Sequence, residues 1–302
     1  VFDVRTLMNN YDVDVNSSAI FQASPGIIVD KDPLQVSPNS VVGGISTYTI
    51  SFRNKNPIPS GGKIHIYLPD DGQIVIADVN NITANTKISV NSILYTPTTT
   101  VDSSVTPNQI TIANPLSTAI SSGSSLSIQI PSLRNPLSTT STSSFTIVTE
   151  DAKAFIIDRI PSGLNLQPNT ISPSDFQTVS LNALVLNTGT KTTYTLHLVP
   201  QIPLQSTVSI IIQFPTHFTL DPNLKCRVTS PVSQAETVCP PDATNSFTVN
   251  PNQALDSSSS LIVTITGVTN ALEATTYSGF KVTAKNAAGY LVHERSTGIQ
   301  VT

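Results

Sequence analysis

The sequence predicts an all-β protein made of two tandem antiparallel two-sheet sandwiches, and three observations carry that prediction. Apolar residues alternate with hydroxyl-bearing ones at a period of two in stretch after stretch. Turn signals rich in Pro and Gly, such as "NPIPSGG", "PDDG" and "TGVTN", punctuate those stretches at short intervals. A long block of the chain also recurs later in the same order, which marks a repeat architecture.

The chain opens on "FDVRTLMNNYDVDV", Phe2 to Val15, with no initiator methionine, no basic-then-apolar leader and no small-residue cleavage site. It reads as two short strands joined by a turn. Two later stretches share its shape, "FTIVTEDAKAFIIDR" from Phe145 and "FKVTAKNAAGYLVHE" from Phe280. Residues 1–22 are therefore expected to be the closing hairpin of a preceding copy, or a donor segment pairing with a sandwich, its own or a neighbour's. Residues 23–162 form the first unit and 163–302 the second.

Within the units, "STYTISFRNKNPIPSGGKIHIYLP" (Ser46 to Pro69) lies over "TTYTLHLVPQIPLQSTVSIIIQFP" (Thr192 to Pro215), with Tyr48 on Tyr194 and Pro69 on Pro215. "LSIQIPSLRNPL" from Leu126 lies over "LIVTITGVTNAL" from Leu261, Phe145 over Phe280 and Phe155 over Tyr290. The copies stand closer together in this later block, so the first carries a longer middle insertion around "NNITANTKISVNSILYTPTTT". Tyr48, Ile50 and Phe52 share one strand face, as do Tyr194, Leu196 and Leu198, which marks both rows for the core. "KIHIYLP" and "VSIIIQFP" are strands stopped by prolines that cannot donate to a central ladder. Convincing helical periodicity is missing; only short stretches such as "PSDFQTVSLNALVL" could hold a helical turn.

The pattern Y-T-(I/L)-x-(F/L)…IP…(I/V)-x-I-x-(L/F)-P resembles the immunoglobulin-like repeats of very large secreted or surface proteins of protists and some bacteria. The resemblance covers nearly all of both units and implies an immunoglobulin-like sandwich in each, with a Ser/Thr-rich exterior. The chain departs from the antibody pattern, having no tryptophan and both cysteines in one unit.

Composition narrows the function classes. Only 11% of the 302 residues are charged, while Ser and Thr supply roughly a quarter, so hydroxyls take over the solubilising role. A net charge of −4 leaves no basic footprint, so no nucleic-acid partner is expected. No apolar run approaches the ~20 residues of a membrane-spanning helix; "VSIIIQF" is strand-sized.

Cys226 and Cys239 stand at the ends of "CRVTSPVSQAETVC", where a local disulfide is the first reading. Free thiols are the second, and a zinc site is poorly supported without a CxxC or a paired histidine. His65, His197, His217 and His293 have no histidine at i+4, and all are expected on the surface. Asp12/Asp14, Asp30/Asp32 and Asp70/Asp71 are acidic pairs of which calcium could use two oxygens, without a DxDxDG loop to complete a site. No GxSxG, GxxxxGK[ST] or GxGxxG occurs. Asn16 in "NSS" and Asn81 in "NIT" satisfy the N-glycosylation rule, and runs such as "STTSTSS" offer hydroxyls for O-linked sugars.

Strands with few outward charges leave sheet edges with little protection against pairing. The expectation is therefore a non-catalytic structural subunit of an extracellular filament or surface coat, open to strand exchange between protomers and without cofactors, whose partners are itself, as a homopolymer or as adjacent repeats of one longer chain, and its glycans. The alternative is an adhesin or stalk that presents the first-unit insertion, Asp78 to about Thr106, as its contact surface.

Overall fold

The structure, a computed structural model, describes residues 2–8, 11–19 and 24–299. β1 (Phe2–Met8) and β2 (Tyr11–Ala19) pair antiparallel as a two-stranded sheet of their own. The first unit follows as β3 (Gly26–Ile27), β4 (Gln35–Ser37), β5 (Ile45–Arg53), β6 (Lys63–Tyr67), β7 (Val75–Ile76), α1 (Val79–Asn85), β8 (Lys87–Val90), β9 (Ile93–Tyr95), β10 (Thr99–Asp102), β11 (Gln109–Ala113), β12 (Ser125–Arg134), β13 (Thr146–Glu150) and β14 (Ile156–Ile160). The second comprises β15 (Phe176–Ala183), β16 (Lys191–Pro200), β17 (Ser209–Gln213), β18 (Thr219–Ser230), β19 (Thr237–Val238), β20 (Ser246–Val249), β21 (Leu261–Thr269), β22 (Lys281–Lys285) and β23 (Leu291–Arg295).

Each unit is two sheets face to face, antiparallel except where β3 runs parallel to β14. The second stacks β15-β16-β21-β18-β19 on β20-β17-β22-β23. In immunoglobulin lettering β15, β16, β21 and β18 are A, B, E and D, and β17, β22 and β23 are C, F and G. The first unit repeats that order as β4-β5-β12-β8-β9 on β10-β11-β6-β13-β14-β3, with β7 also on β12. An extra strand, β11 or β20, lies on the outer side of strand C in both units. Both are immunoglobulin-like sandwiches.

Alternation explains the faces. Tyr48, Ile50 and Phe52 of β5 are buried, as are Tyr194, Leu196 and Leu198 of β16. Across the ladder Tyr48 sits opposite Ile130 and Tyr194 opposite Ile265, the same register in both copies. Ile64, Ile66, Ile110, Ile112 and Ile147 close the first core from the other sheet. Each such side chain contributes roughly 1.5–3 kcal/mol by leaving water.

Two local expectations need correction. The helix is not at "PSDFQTVSLNALVL", which forms strand β15 with Phe176, Val179 and Leu181 buried. It lies in the first-unit insertion, where the Asp78 carboxylate caps α1 by accepting from Asn81 N–H at 3.0 Å and Ile82 is fully buried. One buried apolar residue in seven gives no periodic signal, so its position is set by the packing of Ile82.

The stretch 163–172, placed in the second unit by the boundary at 163, hydrogen-bonds to the first. Phe145 N–H donates to Leu164 O, Thr142 N–H to Leu166 O and Val42 N–H to Ser172 O. Leu164 and Leu166 fill the first core, where Ile299 does the same for the second.

Candidate functional site

Each sandwich has two unlike ends, and the chemistry of the fold concentrates there. One end, the plug, is made of the B–C turn and the F–G hairpin tip. The other, the socket, is made of the A–B loop and the E–F loop.

At the plug a single acceptor on strand G holds the B–C turn. In the first unit Asp158, fully buried on β14, accepts from Lys55 N–H at 3.1 Å and Asn56 N–H at 2.8 Å through Oδ2, and from Asn56 Nδ2 at 2.6 Å through Oδ1. In the second unit His293, fully buried on β23, does the same work. Its Nε2 accepts from Gln201 N–H at 3.1 Å and Ile202 N–H at 3.2 Å. The repeat alignment superimposes Asp158 on His293, and Lys55 and Asn56 on Gln201 and Ile202, so one latch is executed by two different acceptors.

With two N–H groups aimed at Nε2, the ring proton sits on Nδ1, which has no hydrogen-bond partner among the described residues. Burial pushes the imidazole down to about 4, with the nearby Asp175 carboxylate opposing that shift. Asp175 is gripped by Arg295, Nε to Oδ1 at 2.7 Å and Nη2 to Oδ2 at 2.8 Å, and its carboxyl lies below the usual range: desolvation opposes that lowering, and the hydrogen bonds from Arg295 and Phe176 N–H outweigh it. The strand before each latch fits its partner. A Cβ on Gly26 would come within 2.1 Å of Asp158 Oδ1, so only glycine passes there; Ser174 occupies the corresponding place beside His293.

The F–G tips match in the same way. Asp151 Oδ1 accepts from Lys153 N–H at 2.8 Å and Phe155 N–H at 2.9 Å. Asn286 Oδ1 accepts from Ala288 N–H at 3.1 Å and Tyr290 N–H at 2.9 Å.

The socket is organised by a buried tyrosine–asparagine lock. Tyr48 Oη donates to Asn135 Oδ1 at 2.9 Å, and Asn135 Nδ2 donates to the A–B loop carbonyls of Asn39 at 2.8 Å and Val41 at 2.7 Å. In the second unit Tyr194 Oη donates to Asn270 Oδ1 at 2.6 Å, and Asn270 Nδ2 reaches the carbonyls of Val185 and Asn187, each at 2.9 Å. Burial pushes the Tyr194 hydroxyl up to about 12 and Tyr48 higher still, so both stay protonated donors.

The first unit's socket grips the second unit's plug. Thr139 N–H donates to Leu291 O at 2.8 Å while its carbonyl accepts from Asn169 N–H at 2.9 Å. Ser172 N–H donates to Ser40 O at 2.8 Å, so the connecting segment is bonded into the junction. Gly43, at φ +69°, lies so close to Ile202 that a Cβ would stand 3.0 Å from its methyl carbon. A cleft of about 500 Å³ remains along the seam, lined by Leu137 and Ser138 on one side and Pro203, Val208 and Ala288 on the other.

Most residues singled out from sequence lie away from these ends. Cys226 and Cys239 are joined by a disulfide, with Cα atoms 5.9 Å apart and both residues buried, which staples β18 to the segment just after β19. Asn81 lies on the first turn of α1, half-buried, with Nδ2 donated to Ser132 Oγ. Asn16, Asp12 and Asp14 fall on β2, whose side chains lie outside the described residues. Asp30 pairs with Arg53 at 3.3 Å on the surface, and Asp71 accepts from Gln73 N–H at 3.0 Å and from Ser143 N–H. Among the described residues no three His, Cys, Asp or Glu side chains converge on a metal-sized space, and no helix is long and apolar enough to cross a membrane.

Two histidines are corrected. His293 is fully buried as the latch described above, and His65, though on the outer sheet face, is covered by a pairing of Nε2 with Glu150 Oε1 at 2.6 Å and of Nδ1 with Thr111 Oγ1 at 2.9 Å. His217 is exposed, with its ring 5.1 Å from that of Tyr277.

No family model and no curated protein matches the chain. Among solved structures, it is similar to the C-terminal domain of the AgI/II polypeptide BspA of Streptococcus agalactiae, at 9% identity and a TM-score of 0.29 over 89% of this chain and 97% of that one. A collagen adhesin (CNA) from S. aureus gives 17% identity and a TM-score of 0.26 over 93% and 95%. The partial N-terminal region of an enterococcal surface protein gives 11% and 0.28 over 94% and 99%. Likeness at this level carries no argument about function.

Proposed function

We propose that this chain is a non-catalytic structural protein whose immunoglobulin-like sandwiches are stiff building units of an extracellular filament or surface coat. The observation that carries the reading is the seam. The connection between the units is a hydrogen-bonded segment, with Ser172 bonded to Ser40 and Val42 of the first unit and Ser174 to Val292 and Glu294 of the second, and not a free Gly/Ser linker. A buried disulfide fits an oxidising compartment outside the cytosol. The partners under this reading are further units of the same kind, with N- and O-linked sugars hydrating the Ser/Thr-rich exterior. Small-angle scattering tests the stiffness: one fixed inter-unit geometry is expected, and a broad distribution of freely hinged geometries would overturn the reading. Negative-stain images of native material should contain extended assemblies; dispersed monomers alone would count against it.

A second reading, an adhesin or stalk, is favoured by one observation. The first-unit insertion carries the exposed apolar pair Ile93 and Leu94 on β9, at 60% and 57% exposure, which has no counterpart in the second unit's β19 beyond Val238. Ile93→Asp with Leu94→Asp should abolish binding to cells or glycans under that reading; unchanged binding retires it.

A further inference from the structure

Both halves of the seam recur in this chain, a second socket on the second unit and a second plug on the first, and among the described residues both are exposed. The second unit's socket is built like the first. Gly189 at φ +64° stands where Gly43 does, and the Tyr194–Asn270 lock holds the loop as Tyr48–Asn135 does. Its surface is open: Leu186 and Leu272 are 60% and 84% exposed, beside a groove of about 410 Å³ lined by Phe218, Asn270, Glu273, Tyr277 and Ile299. The E–F loop lining that groove is the counterpart of the loop that grips the second unit inside this chain.

The first unit's plug is equally open. Phe155 and Ile156 are 68% and 52% exposed, whereas their counterparts Tyr290 and Leu291 are half-buried beside the seam.

One matched pair of positions differs in charge between these surfaces and the internal seam. Inside the chain Ser138 of the socket faces the same cleft as Ala288 of the plug, both neutral. At the second unit's socket the counterpart of Ser138 is Glu273, and at the first unit's plug the counterpart of Ala288 is Lys153, both exposed. These two positions thus carry complementary charge where the internal seam has a neutral pair.

We infer that the second unit's socket receives the first unit's plug of a second copy of this chain, with Phe155 and Ile156 in the groove and Lys153 against Glu273. The inference rests on the structural reading above and names its contact. The backbone bond from Thr139 N–H to Leu291 O is reproduced between copies as Ala274 N–H to Ile156 O. A head-to-tail contact of unlike surfaces does not close on itself unless the rotation happens to return, so it propagates as a fibre.

The test uses sedimentation velocity of the 302-residue chain across a concentration series at low salt. The wild type should form a ladder of head-to-tail oligomers that weakens as salt screens the pair. Phe155→Asp should abolish the ladder. Glu273→Lys and Lys153→Glu should each weaken it by about tenfold when alone. Mixed together, the two single variants should associate again, because each plug then meets a socket of opposite charge; both sites are exposed, so folding is not at stake. A wild type that stays monomeric, or single variants that associate as well as the wild type, would overturn the contact between copies. Native material carrying a further sandwich after Thr302 in the same chain, read by intact mass, would put that unit in the socket and also overturn it. Neither result touches the stiffness of the internal seam, which scattering reads separately.

Discussion

Acidification should loosen the second sandwich through His293. The buried imidazole accepts two backbone N–H bonds at Nε2 and titrates at about 4, whereas an unfolded chain binds that proton at about 6.5. Because the folded value is depressed, the unfolded state holds more protons between these limits, and stability falls as pH falls. The contribution is fully present above about pH 6.5 and is spent by pH 4. The loss over the whole window is about 3 kcal/mol, of which about 2.5 kcal/mol is already gone at pH 4.5. Physically, a proton on Nε2 turns the acceptor into a donor facing the N–H groups of Gln201 and Ile202, and the B–C turn must swing away. The assay is urea unfolding followed by circular dichroism at pH 7 and 4.5, with amide exchange locating the loss and an imidazole NMR titration reading the group directly. His293→Gln keeps an acceptor that does not titrate. It should lose about 1–2 kcal/mol at pH 7 from the ring's packing against Phe176, 4.9 Å between centroids, and should lack the extra acid slope. An imidazole titrating near 6, or equal acid slopes for variant and wild type, would refute the latch.

Asn135→Ala removes the acceptor of Tyr48 and both donors to the A–B loop, and should cost about 3 kcal/mol; Tyr48→Phe should cost about 1–2 kcal/mol, both read as shifts of the urea midpoint. Reducing the disulfide, whose cysteines are 13 residues apart, should remove about 3 kcal/mol from the second unit and leave amide exchange in the first unchanged. Gly43→Val places a branched side chain at φ +69° against Ile202; it should widen the distribution of inter-unit geometries in small-angle scattering while each sandwich keeps its strand signal.

Much of this architecture was legible before any coordinates. Alternation marked Tyr48, Ile50 and Phe52 and their counterparts Tyr194, Leu196 and Leu198 for the core, because a strand's faces are set by neighbours two residues apart. The recurrence of the same words in the same order implied two sandwiches, and the later offset located the insertion that became α1 and β9. The helix itself was missed because Asp78 and Ile82 form it through one cap and one buried side chain, too little for a periodic signal. The histidines were misjudged for a related reason. His293 alternates as an outward residue would, and what covers it is the turn at Gln201, more than ninety positions away. One signal was available. The repeat alignment sets Asp158 against His293, each directly after two apolar residues of its strand, which marks a shared position with an acceptor in each copy.

The order and facing of the strands, the repeat and the tyrosine–asparagine pairs as matched letters were determined by the sequence alone, since each depends on residues near one another or on simple recurrence. Which polar side chains are buried, which carbonyls and N–H groups they serve, and that the connecting segment is bonded into a seam were decided only by the tertiary structure. A buried polar group is satisfied by backbone brought from far along the chain, and no local pattern encodes where that backbone will lie.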